Sequence, residues 1–438
     1  MSAPEQHRTA SYGVRPSLVV ACASERDIAR AIRHAAATGM RLVPRGGGHC
    51  FAARSTTDGI VLDLAPMDEV RVDPTGMATI GAGCRLGRVY SALHAVGRTL
   101  PAGCGETVGI AGLTLGGGIG LLGRRHGLTC DRLVGARVVL ADGDIVECDE
   151  NREPDLFWAL RGAGGGQFGV VATFRFATVP EPLVSRVDVS MPASVDLGAL
   201  VATWQELAPD APDGLSVDLV VEQEPRVPGV QVRVVGASSL PVSMTIAWLR
   251  ELLGSDASTA RLRVEDPVPY STVKETHADE RRSLPQRPVR LRSEFFERTI
   301  EGPILERILS LLADADRNRP RRLSFTAMGG AYNRVPSGET AFAHRGARFL
   351  LEHVGDPDDP WIDDSWDAAH EAGSGQVYPN FPDLLLQDPL AAYHGDNAAR
   401  LAEVKQRYDP HRFFDFPQAV PPAGPAPHSR AHRNEVRR

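Results

Sequence analysis

The stretch from Pro101 to Leu128 constrains this chain more than any other, because its glycines are too dense for a regular helix or strand to explain them. Glycine loses more backbone freedom on folding than any other residue, so such a cluster implies positive φ angles or backbone pressed against a ligand. An isolated glycine pair would be read as a turn. Here two more glycine loops flank the stretch, Arg45-Gly46-Gly47-Gly48-His49 before it and Arg161-Gly162-Ala163-Gly164-Gly165-Gly166-Gln167-Phe168-Gly169 after it. Three loops built for close approach point to a cradle for a large, flat, phosphate-bearing cofactor.

Gly118-Ile119-Gly120-Leu121-Leu122-Gly123 and Gly164-Gly165-Gly166-Gln167-Phe168-Gly169 both match the spacing of a dinucleotide fingerprint. That fingerprint works only with a strand before it and a helix after it, so that a pyrophosphate meets the helix N-terminus. At the second site the order is reversed. A helical Asp155–Leu160 precedes the glycines and a β-branched Val170–Phe174 follows them. A Rossmann site is therefore disfavoured.

With 438 residues, 42% hydrophobic and 24% charged, the chain is long enough for two or three cores. A net charge of -7 gives no electrostatic case for nucleic acid or an anionic membrane surface, and basic runs such as Arg124-Arg125 read as solvated faces. No apolar run resembles a secretory signal or a bilayer span, so the expectation is a cytoplasmic protein. Cys22, Cys50, Cys84, Cys104, Cys130 and Cys148 are scattered singly, which disfavours a disulfide framework or a metal site.

In chain order, a strand at Ser17–Cys22 leads to a helix capped by Ser24 and closed by Gly39. Strands follow at Arg41–Pro44, Gly59–Leu64, Asp68–Val72 and Met77–Gly83, with a turn at Asp73–Gly76, then a helix within Arg85–Gly97. Arg132–Cys148 reads as a hairpin and Glu153–Leu160 as a helix. Beyond Pro180 alternating strands such as Gly229–Val235 and Arg348–Val354 mix with helices at Ser243–Leu253 and Glu301–Ala315. This texture predicts a second domain with an antiparallel sheet and helices on one face. The Pro-, His- and Arg-rich residues 421–438 read as a disordered tail.

The Arg45–His49 loop and the run Thr107-Val108-Gly109-Ile110-Ala111-Gly112-Leu113-Thr114-Leu115-Gly116-Gly117-Gly118-Ile119-Gly120 resemble the berberine bridge enzyme-like FAD-linked oxidases, within the vanillyl-alcohol oxidase (PCMH-type) flavoprotein superfamily. The similarity continues through Gly127–Asp131, Asp155–Gly162, Tyr378-Pro379-Asn380-Phe381, Tyr393–Asn397, Tyr408-Asp409-Pro410 and Phe416-Pro417-Gln418, and is loose only across Val184–Arg322. The resemblance implies an α+β fold: a two-part PCMH-type FAD-binding domain in residues 1–183, a substrate domain in 184–375, and a C-terminal segment, 376–420, that returns to the FAD domain. It implies FAD bonded through a histidine at the position of His49. The residues alone allow that reading or a histidine that only hydrogen-bonds its loop. Family members often carry a second link from a cysteine at the position where this chain has Gly105; its thiol, Cys104, lies one residue earlier and turns another way, which leaves a second attachment open. Cys50 and Cys130 read as small buried residues. Arg45, Gly46, Gly47, Gly48, Gly105, Thr107, Val108, Gly109, Gly112, Gly116, Gly117, Gly118, Gly120, Gly169 and Val170 complete the expected FAD contacts.

The family's tyrosine base maps onto Tyr378. A phenol with the usual pKa of about 10 needs positive charge or hydrogen bonds to act at neutral pH. Glu352 with His353 is the second choice, since adjacent strand residues face opposite sides; on an edge strand they would be only a surface pair. Asn380 and Asn397 either contact the flavin ring or anchor the C-terminal segment, while Phe157 and Trp158 read as core. The implied activity is oxidation of a C–H bond beside a hydroxyl or amine of a carbohydrate or secondary metabolite, with molecular oxygen as acceptor. A dehydrogenase using another acceptor, or a non-catalytic flavin carrier, is the alternative.

Overall fold

The computed structural model describes residues 13–225, 227–283, 288–313 and 318–424, so most of the expected tail lies outside the described residues. The N-terminal end is a three-stranded parallel sheet in which Ile60–Asp63 lies between Leu18–Ala21 and Leu42–Arg45. The crossover helix, Glu25–Thr38, starts where the Ser24 hydroxyl accepts the N–H of Asp27 and ends at Gly39, whose φ of 67° is the left-handed stop anticipated from its sequence. Ile28, Ala29, Ile32 and Ala35 form its buried face. Beside it lies a five-stranded antiparallel sheet in the order Val70–Val72, Met77–Gly81, Val170–Ala177, Leu133–Val139, Ile145–Cys148.

The second half is built on one antiparallel sheet running Arg261–Val264, Leu183–Ser190, Gln231–Ser238, Leu215–Gln223, Arg321–Ala327, Phe349–Gly355, Arg290–Phe296. Alternation sorts its side chains. Val187, Val217, Leu219, Val234, Leu323, Phe325, Phe349 and Leu351 pack under the helices Leu197–Leu207, Val242–Leu253, Gly302–Ala313 and Trp361–His370. The opposite phase carries Asp188, Asp218, Arg233, Ser293, Ser324, Thr326 and Glu352, and Phe295 and Leu350 of this face cluster with Ile119 and Leu128 of the glycine stretch. The chain is thus α+β with helices on one face of the larger sheet, as expected.

The C-terminal segment closes the first half. Leu401, Val404, Tyr408, Phe414 and Val420 enter the same core as Ile28 and Phe174. The fully buried Lys405 ammonium donates to Asp409 and to the carbonyls of Gln167 and Phe414. Among the described residues no helix is long and apolar enough to cross a membrane.

Three expectations need correction. The glycine-dense stretch does hold helix, at Ile110–Leu115 and Gly123–His126. The Arg124-Arg125 pair is not one solvated face. Arg125 is exposed, but Arg124 is 1% exposed and its guanidinium donates to the carbonyls of Leu215, Pro209, Met328 and Ala211. It thereby ties the glycine stretch to the larger sheet. Cys50 is half-buried rather than buried, while Cys130 is buried as expected.

Candidate active site

The first glycine loop leaves the strand Leu42–Arg45 and meets the second backbone to backbone. A Cβ on Gly47 would stand 2.1 Å from the Gly109 nitrogen, and one on Gly109 would stand 2.3 Å from the Gly47 nitrogen, so any side chain at either position would prise the loops apart. Gly48 adopts φ 71°, which glycine alone reaches without strain. The turn that brings Gly109 there is fixed by the helix Leu86–His94, which lacks a side-chain cap. Its orphan Leu86 and Gly87 N–H groups donate instead to the carbonyls of Val108 and Glu106.

No acceptor among the described residues meets the backbone N–H groups of Gly46, Gly47 and Gly48, although Gly47 and Gly48 are buried. Buried N–H groups are seldom left orphaned, and successive ones in a bend form an anion-binding nest. Nearby, a Cβ on Gly112 would meet nothing within 4 Å, so the helix Ile110–Leu115 presents bare backbone to open space. These groups fit a cofactor with a pyrophosphate and a flat ring. His49 and Cys104 are both half-buried, His49 directly after the nest.

Other glycines make close contacts within the protein. A Cβ on Gly116 would sit 2.3 Å from Asn380 Oδ1, one on Gly120 would sit 2.2 Å from the Ala102 carbonyl oxygen, and one on Gly169 would press on Val138. Gly117 and Gly118 need their positive φ of 112° and 88°. Val170 is a buried strand residue paired with Val139. Arg45 forms an ion pair with Asp63 at 3.2 Å. Asn397 donates to the carbonyls of Ser337 and Thr340.

The glycine turn and the C-terminal segment meet at Tyr378. Its phenol oxygen accepts the N–H of Gly118 at 3.0 Å, that of Ile119 at 3.1 Å and the Asn380 amide at 3.0 Å. The Asn380 amide also donates to the Leu113 carbonyl at 2.9 Å, which locks its orientation. Burial pushes the phenol up to about 12, and the three donors pull against that rise. Hydrogen bonds rather than a cation thus oppose the desolvation. The rings of Phe381, Phe295 and Phe342 stand edge-on at 4.9, 6.1 and 6.3 Å, and Leu350 and Ile119 complete an apolar box.

Glu352 lies on an interior strand, not an edge, and on the cleft face, while His353 turns under the helices to bond Ser365 at 2.9 Å. Trp158 is core, with its indole N–H on the Gly338 carbonyl.

Four residues near the site escaped the sequence reading. Tyr332 donates to the Gly120 carbonyl at 2.7 Å and accepts its N–H at 3.1 Å. Arg345 makes a buried, two-pronged ion pair with Asp131 at 2.6 and 2.9 Å, and Asp131 in turn accepts the Leu128 N–H. Lys274 donates to the carbonyls of Ala102 and Gly103 and lies 3.5 Å from Cys104 Sγ, with the Tyr90 and Tyr270 rings beside its ammonium. Its only signal in the sequence is the four-residue spacing from Tyr270 on a helix. Asp218 stands on the cleft face of the sheet, pushed to about 7 by burial and by Glu352.

A nest, an open glycine helix and a donor-saturated phenol against a polar sheet define a flavin-dependent oxidoreductase. A family model for an FAD binding domain matches residues 16–149, and one described as berberine and berberine like matches residues 377–421. Across 424 residues, 93% of this chain and 91% of the relative, the chain is 32% identical to the uncharacterized FAD-linked oxidoreductase YgaK of Bacillus subtilis (strain 168). It is 30% identical to the xylooligosaccharide oxidase of Thermothelomyces thermophilus, over 93% of this chain and 88% of that one. The structure of xylooligosaccharide oxidase from Myceliophthora thermophila C1 with xylobiose superposes with a TM-score of 0.84 at 26% identity, covering 97% of each chain. The chain belongs to the berberine bridge enzyme-like family of FAD-linked oxidoreductases, and its cofactor is FAD.

Proposed function

We propose that the protein is an oxidase for a C–H bond next to a hydroxyl or amine on a small molecule, a carbohydrate or secondary metabolite, with molecular oxygen as the terminal acceptor. Bound FAD would supply the hydride acceptor and pass the electrons on to give hydrogen peroxide. The observation that carries the reading is the Tyr378 oxygen, met by two amides of the glycine turn and one from Asn380. Three donors around one phenol oxygen suit the phenolate, so Tyr378 takes the proton released as the C–H bond is oxidised. The apolar box of Phe295, Phe342 and Phe381 keeps water from that oxygen.

Gly46, Gly47 and Gly48 would hold the pyrophosphate, and His49, which follows them, is the residue we assign to the covalent bond. Cys104 we leave unbonded to the flavin: Gly105 occupies the usual position, and the Lys274 ammonium already neighbours the thiol. The six free thiols suit a reducing compartment, and we place the enzyme in the cytoplasm on that ground.

The test is the mass of the denatured protein. Wild type and Cys104→Ala should each retain one FAD and His49→Ala none. An adduct that persists in His49→Ala refutes the attachment. Anaerobic bleaching by substrate followed by rapid recovery in air separates an oxidase from a dehydrogenase.

A further inference from the structure

A second cluster of reactive groups lies at the start of the glycine-dense stretch and has no part in the chemistry proposed above. Lys274 is 6% exposed, and its ammonium donates to the carbonyls of Ala102 and Gly103 at 3.2 and 2.8 Å and reaches Cys104 Sγ at 3.5 Å. The Tyr90 and Tyr270 rings stand 4.4 and 5.1 Å from it, and the Tyr90 hydroxyl donates to the same two carbonyls. This backbone lies against the turn that serves Tyr378. A Cβ on Gly103 would come 3.6 Å from the Ile119 carbonyl oxygen, and one on Gly120 would come 2.2 Å from that of Ala102. The Ile119 N–H is itself a donor to the Tyr378 oxygen.

A second observation points to an oxygen arriving at the sulfur. The Tyr270 hydroxyl is fully buried and has no hydrogen-bond partner among the described residues. Burial raises the Tyr90 and Tyr270 phenols, and the Cys104 thiol adds to both rises, so this orphan donor lies close to the sulfur. A buried hydroxyl without a partner is unfavourable, and an oxygen bound to the sulfur would give it one. The thiolate is the reactive form of cysteine, and a neighbouring cation favours it. Cys104 is half-buried, which leaves it open to a small oxidant. Burial pushes the Cys22 thiol up to about 11 and those of Cys84 and Cys148 up to about 12, and it raises Cys130 as well, which keeps these four unreactive.

We infer that Cys104 is a peroxide-reactive thiol whose sulfenic acid is held between the Lys274 ammonium and the Tyr270 hydroxyl. The thiolate attacks an oxygen of hydrogen peroxide, and an S–O bond forms as the O–O bond breaks. The sulfur gives up two electrons to the peroxide, and the leaving hydroxide takes the proton lost by the thiol. The products are a sulfenic acid and water. Lys274 stabilises the thiolate before the step, and the Tyr270 hydroxyl donates to the sulfur-bound oxygen after it. Only the source of the oxidant rests on the proposed function, since an oxidase would release peroxide beside the same Ile119 turn.

The test adds hydrogen peroxide to the flavin-loaded holoenzyme, its thiols reduced beforehand and no substrate present. Samples are then unfolded in dimedone, which traps sulfenic acids, and each cysteine is read by peptide mass. Cys104 should be labelled at least about tenfold faster than Cys50, the other half-buried thiol. Tyr270→Phe, which removes only the unpartnered hydroxyl, should slow the labelling about threefold, and Lys274→Met at least about tenfold. Cys104 labelled no faster than Cys50, a Tyr270→Phe rate equal to wild type, or a folded Lys274→Met that reacts as fast as wild type overturns the assignment. A Cys104 peptide that carries FAD overturns it too. If Lys274→Met does not fold, the first two comparisons decide. Because the peroxide is supplied, an enzyme that proves to be a dehydrogenase loses the proposed source of oxidant but keeps the thiol chemistry.

Discussion

Replacing Asn380 by alanine removes one of the three donors to the Tyr378 oxygen without touching the phenol. A hydrogen bond to a charged group is worth about 1.5–3 kcal/mol. One pKa unit corresponds to about 1.36 kcal/mol, so the phenol should rise by about one to two units. The wild-type phenol already lies near 12, and burial is the largest cause. A base must be deprotonated to act, and below its pKa the phenolate fraction grows tenfold per pH unit. Flavin reduction should therefore accelerate with rising pH. At any one pH the variant should be about 10- to 100-fold slower, with its pH limb displaced upward by the same one to two units. The loss of a donor to the Leu113 carbonyl adds a stability cost of about 1 kcal/mol, which a denaturation curve reads separately. The assay is anaerobic stopped-flow reduction across the pH range for wild type, Asn380→Ala and Tyr378→Phe. An Asn380→Ala enzyme as fast as wild type, a reduction rate that does not rise with pH, or a Tyr378→Phe enzyme within about tenfold of wild type would refute Tyr378 as the base.

The other predictions concern the frame around that phenol. Gly47→Ala forces a Cβ to 2.1 Å from the Gly109 backbone, so flavin occupancy in the purified protein should collapse and the melting temperature should fall; full occupancy would contradict the two-loop contact. Arg124→Met leaves buried carbonyls of Leu215 and Pro209 without a donor and should destabilise the protein by about 3 kcal/mol or more in chemical denaturation. His370 donates to the buried Glu294 carboxylate, and that bond raises the imidazole above its ordinary value. A raised histidine contributes stability fully below its unfolded pKa of about 6.5 and loses it as pH rises through the folded value. The melting temperature of wild type should accordingly decline over that interval by more than that of His370→Gln.

What could be read from the sequence was what neighbours along the chain decide. Ser24 and Gly39 bound a helix because capping is a matter of a few residues, and the turn at Asp73–Gly76 lies between paired strands for the same reason. The glycine loops were legible because positive φ and close approach leave a mark in composition. Arg124 was misread because its acceptors come from 85 to 204 residues away, and nothing in the pair Arg124-Arg125 distinguishes the buried arginine from its exposed neighbour. Lys274, Tyr332 and Arg345 share that difficulty, since each is defined by the loop it holds from another part of the chain.

The larger sheet falls between these cases. Period-two alternation separates Glu352 from His353 without saying which one faces the cleft. The answer comes from the neighbouring strands: Leu219, Phe325 and Leu351 form the apolar phase that the helices cover, and once that phase is assigned Glu352 can only be on the other. The same assignment carries Asp218, Ser293 and Thr326 to the cleft face with it. On the proposed function, the chemistry at Tyr378 would depend on the glycine turn, Asn380 and its ring neighbours, and the choice of substrate would rest on the polar phase of strands whose apolar phase only has to stay buried. Substitutions in that polar phase should therefore change which molecule is oxidised while leaving FAD attachment and the fold intact.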